Sequence, residues 1–297
     1  MVESVLGCGS FGKVVHCKKL PSNESVALKI IMEKDFINDA HKEVETLEVL
    51  KNFNLEKFNI VKWYSSFVHE GHYCHEFEKL DMSLYQYQVT EKNSLELKEI
   101  RPILQQVAVS LQLLKSLGIV HTDLKPDNIM LVDHVHQPLR VKVIDFGTAN
   151  LISERCMGSE LQTLWFRSPE ILLGASFSEA IDIWSLGCIA AELFMGRALF
   201  PSSDEFDMGC SELSGEDARA DDLDRRTFVE ILGKMLQLDP NERIRPNQIL
   251  QHPFITMSHL IRDFNDCQYV KSCSDLLSRH LTEASLNQRD IQQSGAV

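Results

Sequence analysis

Basic residues are the scarce class in this chain. Across 297 residues, 30 Lys and Arg stand against 43 Asp and Glu, a formal net charge of −13. Such a surface repels phosphate backbones, so direct nucleic-acid binding is not expected. Long hydrophobic runs are missing too: no stretch approaches the roughly 18 to 20 apolar residues that cross a bilayer. The opening segment, which holds Glu3 and Lys13, lacks the basic start, apolar core and small-residue cleavage site of a secretion signal. A soluble, intracellular protein with no membrane partner is the expectation. The eight cysteines include no CxxC pair and no regular spacing, which excludes a disulfide framework and points to reduced thiols in a cytosolic or nuclear compartment. One group looks like a metal set: His69, His72, Cys74 and His75. It flanks Gly71 at what reads as a hairpin tip, where side chains alternate between faces and cannot all converge on one ion, so polar turn residues are the favoured reading.

No internal repeat or low-complexity tract is present, and the length suits one large domain or two lobes. The hydrophobic period changes near residue 90. Before it, strand-like runs cover Val2 to Leu6, Lys13 to Cys17, Val26 to Ile31, Ile60 to Val68 and Tyr73 to Phe77. One helix interrupts them, with Ala40, Val44, Leu47 and Leu50 on a single face. The first part therefore reads as an antiparallel sheet carrying one helix. Beyond Leu95, Ile100, Ile103, Leu104, Val107, Leu111 and Leu114 form a helical stripe that Gly118 should stop. Short strands are expected at Ile129 to Val132 and Val141 to Ile144, joined by a polar turn containing Pro138. Ala180 to Leu193 is apolar on nearly all sides and marks a buried helix. Phe228 to Leu236 builds another, and Ile249 to Phe254 is expected to begin the last. Ser202 to Asp224, acidic and rich in small residues, and the polar tail are both expected to be mobile.

Chemistry concentrates in four places. Gly7, Gly9 and Gly12 form GxGxxG, a spacing also used between a strand and a helix in dinucleotide folds. Here the strand-like Lys13-Val14-Val15-His16-Cys17 follows, so the glycines read as a hairpin lid over phosphates, and a dinucleotide oxidoreductase is excluded. Downstream, Ala27-Leu28-Lys29 carries a lysine suited to α- and β-phosphates. Its flexible arm needs an anion, and Glu43, one turn before Leu47 on the inward face, is favoured, with Glu45 and Glu48 as alternatives.

The segment His121-Thr122-Asp123-Leu124-Lys125-Pro126-Asp127-Asn128 is the most specific feature. Asp123 is placed to take or orient the proton of an attacking hydroxyl, Lys125 to neutralise charge on a transferred phosphoryl group, and Asn128 to hold a magnesium ion. Asp145-Phe146-Gly147 supplies a carboxylate for the second metal contact. Ser168-Pro169-Glu170 and Arg243 are expected to form a buried pair. Asp182, at the head of the buried helix, reads as a helix N-cap and equally as a brace for the His121 loop.

With these motifs in place, the sequence resembles the eukaryotic protein kinases, and within them the homeodomain-interacting protein kinases of the CMGC group. The closer match rests on Arg101 to Ala108, His121 to Val132, Gln137 to Gly147, Ala180 to Leu193 and His252 to Met257. The resemblance implies an α+β, bilobal fold with a small antiparallel-sheet lobe carrying one helix and a larger, mostly helical lobe. The kinase domain would span 1–254, divided near residue 80, with a C-terminal extension over 255–297. It implies Ser/Thr kinase activity with ATP and Mg2+, acting as a monomer on protein substrates that include transcriptional regulators, in the nucleus or the cytoplasm. No clustered basic import signal is present, Lys18-Lys19 being too short. By the same resemblance Phe77 lies at the back of the adenine pocket, Glu78 to Leu80 form the hinge, and Leu6, Val14, Ala27 and Met130 wall the base.

Departures from that family matter. Thr122 stands where many kinases carry an arginine. Glu160 replaces the activation-segment tyrosine, a fixed charge in place of a phosphorylatable one, with Arg167 as its candidate partner. Leu164 replaces an arginine that shapes the pocket for a proline after the phosphoacceptor, which puts that preference in question. Phe206 to Asp224 replaces a longer region, so a docking surface is expected to be missing. Glu76 is anomalous in an apolar strand. The shortened lobe and altered segment support a second function class, a pseudokinase scaffold that binds partners with weak or no catalysis.

Overall fold

Short β-branched runs separated by glycine and polar turns build the first lobe of the computed structural model, which describes residues 1–9, 11–33, 36–151, 161–200 and 215–279. Strands β1 (Val2–Gly9), β2 (Gly12–Lys18) and β3 (Ser25–Ile31) are followed by helix α1 (Ile37–Leu50), then β4 (Trp63–His69) and β5 (His72–Glu78). The five strands form one antiparallel sheet in the order β1-β2-β3-β5-β4. Helix α1 buries Ala40, Glu43, Leu47 and Leu50, and its apolar members join a core with Trp63 and Phe77. Strand β4 begins later than the apolar run suggests. Asn59 adopts a left-handed φ of 54°, and Ile60 and Val61 then pair with Val143 of the other lobe instead of the sheet. The run is thus divided between two partners.

The β4–β5 turn is two residues long, with Glu70 and Gly71 at φ 49° and 81°, the backbone that a tight hairpin demands. His69 faces His72 across it, while Cys74 and His75 are buried. Among the described residues no group of three or more His, Cys, Asp or Glu could hold a metal ion.

Helix α2 (Leu84–Thr90) was not expected from the apolar pattern. It buries only Leu84 and Gln88 and is started by a capping box in which Ser83 and Gln86 exchange side-chain and backbone bonds of 3.1 Å each. Helix α3 (Leu97–Ser116) follows, its stripe buried and its end closed by Gly118 at φ 67°. The chain then makes β6 (Ile119–Val120), β7 (Ile129–Asp133), β8 (Gln137–Val143) and β9 (Asn150–Leu151), with β7 pairing β8 and β6 pairing β9. Pro138 lies inside β8, and the turn is made instead by Asp133, whose carboxylate takes the backbone N–H groups of Val135 and His136.

The rest is helical: α4 (Pro169–Leu172), α5 (Ala180–Met195), α6 (Gly215–Met235), α7 (Pro246–Gln251), α8 (Pro253–Thr256), α9 (Ser258–Phe264) and α10 (Gln268–Ser278). Helix α5 is buried almost all round, as its composition requires. Two expectations need correction. The stretch to Asp224 is not a mobile acidic run from residue 215 onward, because α6 starts there and buries Ala220, Asp221 and Asp224; residues 202–214 lie outside the described residues. Ile249 to Phe254 does not open one final helix either. Pro253 cannot continue the helix and forces His252 to an extended ψ of 142°, after which α9 and α10 fold back. Their Leu260, Val270 and Cys273 make a second core with Ala220. Residues 280–297 of the expected extension lie outside the described residues.

Asp224 explains why α6 tolerates its acids. Fully buried, it accepts both oxygens' worth of bonding from Arg101 Nη2 at 2.6 Å, from His259 Nε2 at 2.9 Å and from the Tyr269 hydroxyl at 2.7 Å. This one carboxylate joins α3, α6, α9 and α10. Removing one member of a buried ion pair leaves the other uncompensated, at about 3–5 kcal/mol. Arg101→Met is therefore expected to lower unfolding stability by that order in a urea titration, and Arg101→Met with Asp224→Leu should recover only part of it, because His259 and Tyr269 lose their acceptor.

Candidate active site

A cleft of about 310 Å³ opens between the lobes. Its lining includes Leu6, Gly7, Gly9, Val14, Ala27, Lys29, Glu43, Phe77, Glu78, Leu80, Asn128, Met130 and Asp145, so most sequence-predicted binding residues meet there. Cys8, Phe11, Val61 and Ile144 line it as well and were not foreseen. Gly12 is not in the lining. It opens β2 at φ 146°, and a Cβ there would stand 2.2 Å from the Ile30 carbonyl oxygen. The third glycine is therefore needed for close contact with β3. Within the hinge, the Glu78 side chain turns away from the cleft to the buried Lys142 ammonium, at 2.8 Å from each oxygen, and to the Lys62 N–H at 2.6 Å.

Lys29 projects from β3 into the cleft and is buried. Its Nζ lies 2.7 and 3.0 Å from the Glu43 oxygens and 2.8 Å from Asp145 Oδ1. Of the three acids considered on α1, the structure brings Glu43 to the lysine, and Glu45 and Glu48 are exposed. Burial opposes the Lys29 charge, but Asp145 and Glu43 outweigh it and hold its pKa above the ordinary lysine value. Burial likewise works against the Asp145 carboxylate, and Lys29 wins, holding its pKa below the usual range. The Phe11 ring, from the tip of the glycine hairpin, covers the ammonium at 4.8 Å.

Below the cleft, Asp123 is bracketed on both oxygens. Oδ1 accepts from the Thr163 hydroxyl at 2.7 Å and its N–H at 3.1 Å, and Oδ2 accepts from Lys125 Nζ at 2.7 Å and Asn128 Nδ2 at 3.3 Å. Thr163 was missed by sequence reasoning, since nothing local distinguishes it. The Asn128 amide nitrogen also donates to the Asp123 carbonyl at 2.8 Å, which leaves Oδ1 as the atom for a cation. Asp145 spends Oδ1 on Lys29 and the Gly147 N–H at 3.4 Å, and among the described residues nothing bonds Oδ2. These two oxygen donors suit a hard divalent cation that takes its remaining ligands from phosphate and water.

The loop is held by α5. Asp182 accepts from the His121 N–H at 2.8 Å and the Thr122 N–H at 3.0 Å, so the brace reading is the one the geometry bears out. Thr122 is left-handed at φ 68°, a costly conformation for a β-branched residue. Its hydroxyl donates to the Thr148 carbonyl at 2.6 Å. The His121 ring takes the Asp123 N–H on Nδ1 at 3.3 Å, so its proton sits on Nε2, facing the Ile144 carbonyl at 2.9 Å.

Glu170 and Arg243 form a buried two-pronged pair at 2.7 and 3.0 Å. Glu160 lies outside the described residues. Arg167 donates from Nη2 and Nε to the Gln162 carbonyl at 2.9 and 3.2 Å, and Gln162 is left-handed at φ 63°. Leu164 is exposed. Glu76 is explained: it pairs with Lys19 on the sheet and accepts from the Ser65 hydroxyl at 3.4 Å.

A two-lobed fold with a glycine hairpin, a lysine clamped by two acids and a bracketed aspartate defines the protein kinases. The model of the protein kinase domain matches residues 1–255, and the chain belongs to that family. Within it, the chain is 38% identical over 92% of its length to Homeodomain-interacting protein kinase 1 of Mus musculus, of which it covers 28%. It is 36% identical over 91% to the Caenorhabditis elegans protein of the same name, covering 41% of it. To the Dual specificity protein kinase YAK1 homolog of Arabidopsis thaliana it is 40% identical over 79%, covering 23%. The chain thus spans less than half the length of these curated relatives. Membership of the family implies use of ATP and a divalent metal.

Asp182→Asn tests the brace. An amide offers one acceptor oxygen where the carboxylate offers two, so one backbone N–H loses its partner, at about 1–3 kcal/mol. A melting curve should record that loss, and hydrogen exchange at His121 and Thr122 should quicken.

Proposed function

We propose that the chain is an ATP-dependent protein serine/threonine kinase. The observation that carries this reading is the convergence of Lys29, held by Glu43 and Asp145, with an Asp123 whose two oxygens are fixed by Lys125, Asn128 and Thr163. The family's chemistry needs alignment and charge compensation more than covalent work. Asp123 accepts the proton of the incoming Ser or Thr hydroxyl. Lys125, bonded to both Asp123 and Thr163, lies beside the transferred group and offsets its charge, and Lys29 positions the α- and β-phosphates. Asn128 and Asp145 would hold Mg2+, which supplies charge neutralisation on the phosphates. The relatives are named for interaction with homeodomains, which supports transcriptional regulators among the protein substrates on this reading. With Glu160 in place of tyrosine, activation by tyrosine autophosphorylation at that position is absent.

A preference for proline after the phosphoacceptor survives the loss of arginine at 164 on this reading. Gln162 adjoins Thr163 and hence Asp123, and its carbonyl is saturated by Arg167. A substrate N–H facing that carbonyl goes unpaired, whereas proline has none to lose. The scaffold alternative draws support from the altered activation segment, but a scaffold has no use for an aspartate bracketed on both oxygens.

Radiolabelled ATP, magnesium and a generic basic protein test the activity. Asp123→Asn should lower turnover by about 10²–10⁴-fold, far beyond what any shift of its melting curve accounts for; no incorporation by the unaltered chain would favour the scaffold. With paired peptides, Ser-Pro should exceed Ser-Ala by roughly tenfold, and Arg167→Met should erase the difference.

A further inference from the structure

Behind Glu43 lies a buried histidine that the phosphoryl-transfer reading leaves without a role. His75 faces Lys29 across the β3–β5 ladder and has no solvent exposure. Neighbours in such a register share a face, so its ring points to the same side as the lysine. Tyr73 packs edge-on to it at 5.1 Å and Phe77 lies at 6.3 Å, which fixes the ring laterally.

Its proton can be located. Trp63 Nε1–H, which can only donate, bonds Ser66 Oγ at 3.2 Å. The Ser66 hydroxyl proton is then available to His75 Nδ1, 2.7 Å away. Nδ1 accepts, so the neutral ring carries its hydrogen on Nε2. Burial, reinforced by Lys29, pushes the His75 pKa down to about 4, in keeping with a neutral ring. Nε2 has no hydrogen-bond partner although it is fully buried. It stands 3.8 Å from Glu43 Oε2, beyond a hydrogen bond but facing the carboxylate.

A buried donor left unpaired is costly, and a leucine would fill this space without that penalty. The N–H makes sense if a bond closes in another state of the site. In a protein kinase the lysine serves the phosphates while its pair with the glutamate stays in place, so its donation is shared, and Oε2, the Glu43 oxygen that Lys29 holds at 2.7 Å, has a lone pair for a second donor. We propose that His75 is a positioning residue for the Lys29–Glu43 pair: its Nε2–H closes onto Glu43 Oε2 when nucleotide engages Lys29, and Ser66 fixes the tautomer that makes this possible. The inference rests on the reading of Lys29 as the phosphate-binding lysine.

Four variants of the full chain test it: His75→Leu, His75→Gln, Ser66→Ala and Lys29→Met. Kinetics with ATP are combined with 15N spectra of histidine-labelled protein, with and without a magnesium-loaded non-hydrolysable ATP analogue. His75→Leu should keep its fold and lose about tenfold in kcat/KM for ATP, the scale of one hydrogen bond to a charged group. His75→Gln, which restores an N–H, should recover most of it. The unaltered chain should show His75 neutral with its hydrogen on Nε2, that signal moving when the analogue binds, and Ser66→Ala should mix the tautomers. Normal kinetics in His75→Leu, an impaired His75→Gln equal to His75→Leu, or a hydrogen on Nδ1 would each overturn the proposal. If Lys29→Met is inactive while His75→Leu is normal, the proposal alone fails. If Lys29→Met retains full transfer, the reading beneath it fails and the proposal with it.

Discussion

A lysine ammonium removed from water between two lobes is the constraint on which the rest of this structure depends. Lys29 cannot remain charged in its buried place without anions, and the chain supplies them from opposite directions, Glu43 from α1 and Asp145 from the turn after β8. To make both contacts, the sheet, its helix and the helical lobe must meet within hydrogen-bonding distance. Such pairs add little net stability, because desolvation of the charges consumes most of their attraction. Their effect is on geometry: the three groups fix the cleft's floor and back wall relative to each other. Two carboxylates and one ammonium leave the cluster negative, which suits a divalent cation arriving with the phosphates.

That geometry is supported from below by α5. Its buried Asp182 replaces missing backbone partners of the His121 loop and compensates the left-handed backbone at Thr122. Asp145 is left-handed too, at φ 60°. Strain at two residues flanking the reacting centre persists only where surrounding bonds overdetermine it, and here they come from α5, from Thr148 and from Lys29. The Glu170–Arg243 pair holds the approach to the same loop, since Gln162, Thr163 and Ser168 lie on the segment it anchors.

The parts of this arrangement written in contiguous residues were readable from the sequence. A strand after the glycines, the His121 to Asn128 segment and the stripe of α3 each carry their meaning locally. What was hidden depends on distant partners. The first half of α6 looks like an acidic run because its inward positions include Asp221 and Asp224, and only Arg101, far earlier in the chain, makes Asp224 an interior residue. Helix α2 has too few apolar residues for a period and exists through its cap and its neighbours. Thr163 acquires its place beside Asp123 only through the fold. His75 was grouped with turn residues by proximity to Gly71, although strand parity held the correction: opposite Lys29, a β5 residue must face inward.

Among the described residues, two kinds of buried charged contact stand apart, and the difference separates scaffold from site. Arg243 with Glu170 and Asp224 with Arg101, His259 and Tyr269 are buried contacts whose carboxylates are saturated by protein donors. In the cleft, by contrast, Asp145 Oδ2, Asn128 Oδ1 and His75 Nε2 are left without partners among the described residues. A cleft that must receive a polyanion and a cation cannot be saturated by its own chain, because every internal bond would have to be broken before the ligand's could form. Buried atoms without a partner occur elsewhere too, at Asn59 Oδ1, Arg101 Nη1, Ser168 Oγ and Trp184 Nε1, but the cleft holds two open oxygens on the residues suited to a cation, beside a lysine clamped by acids. Open oxygens beside a clamped lysine are stronger physical support for a working site than the presence of any one motif residue.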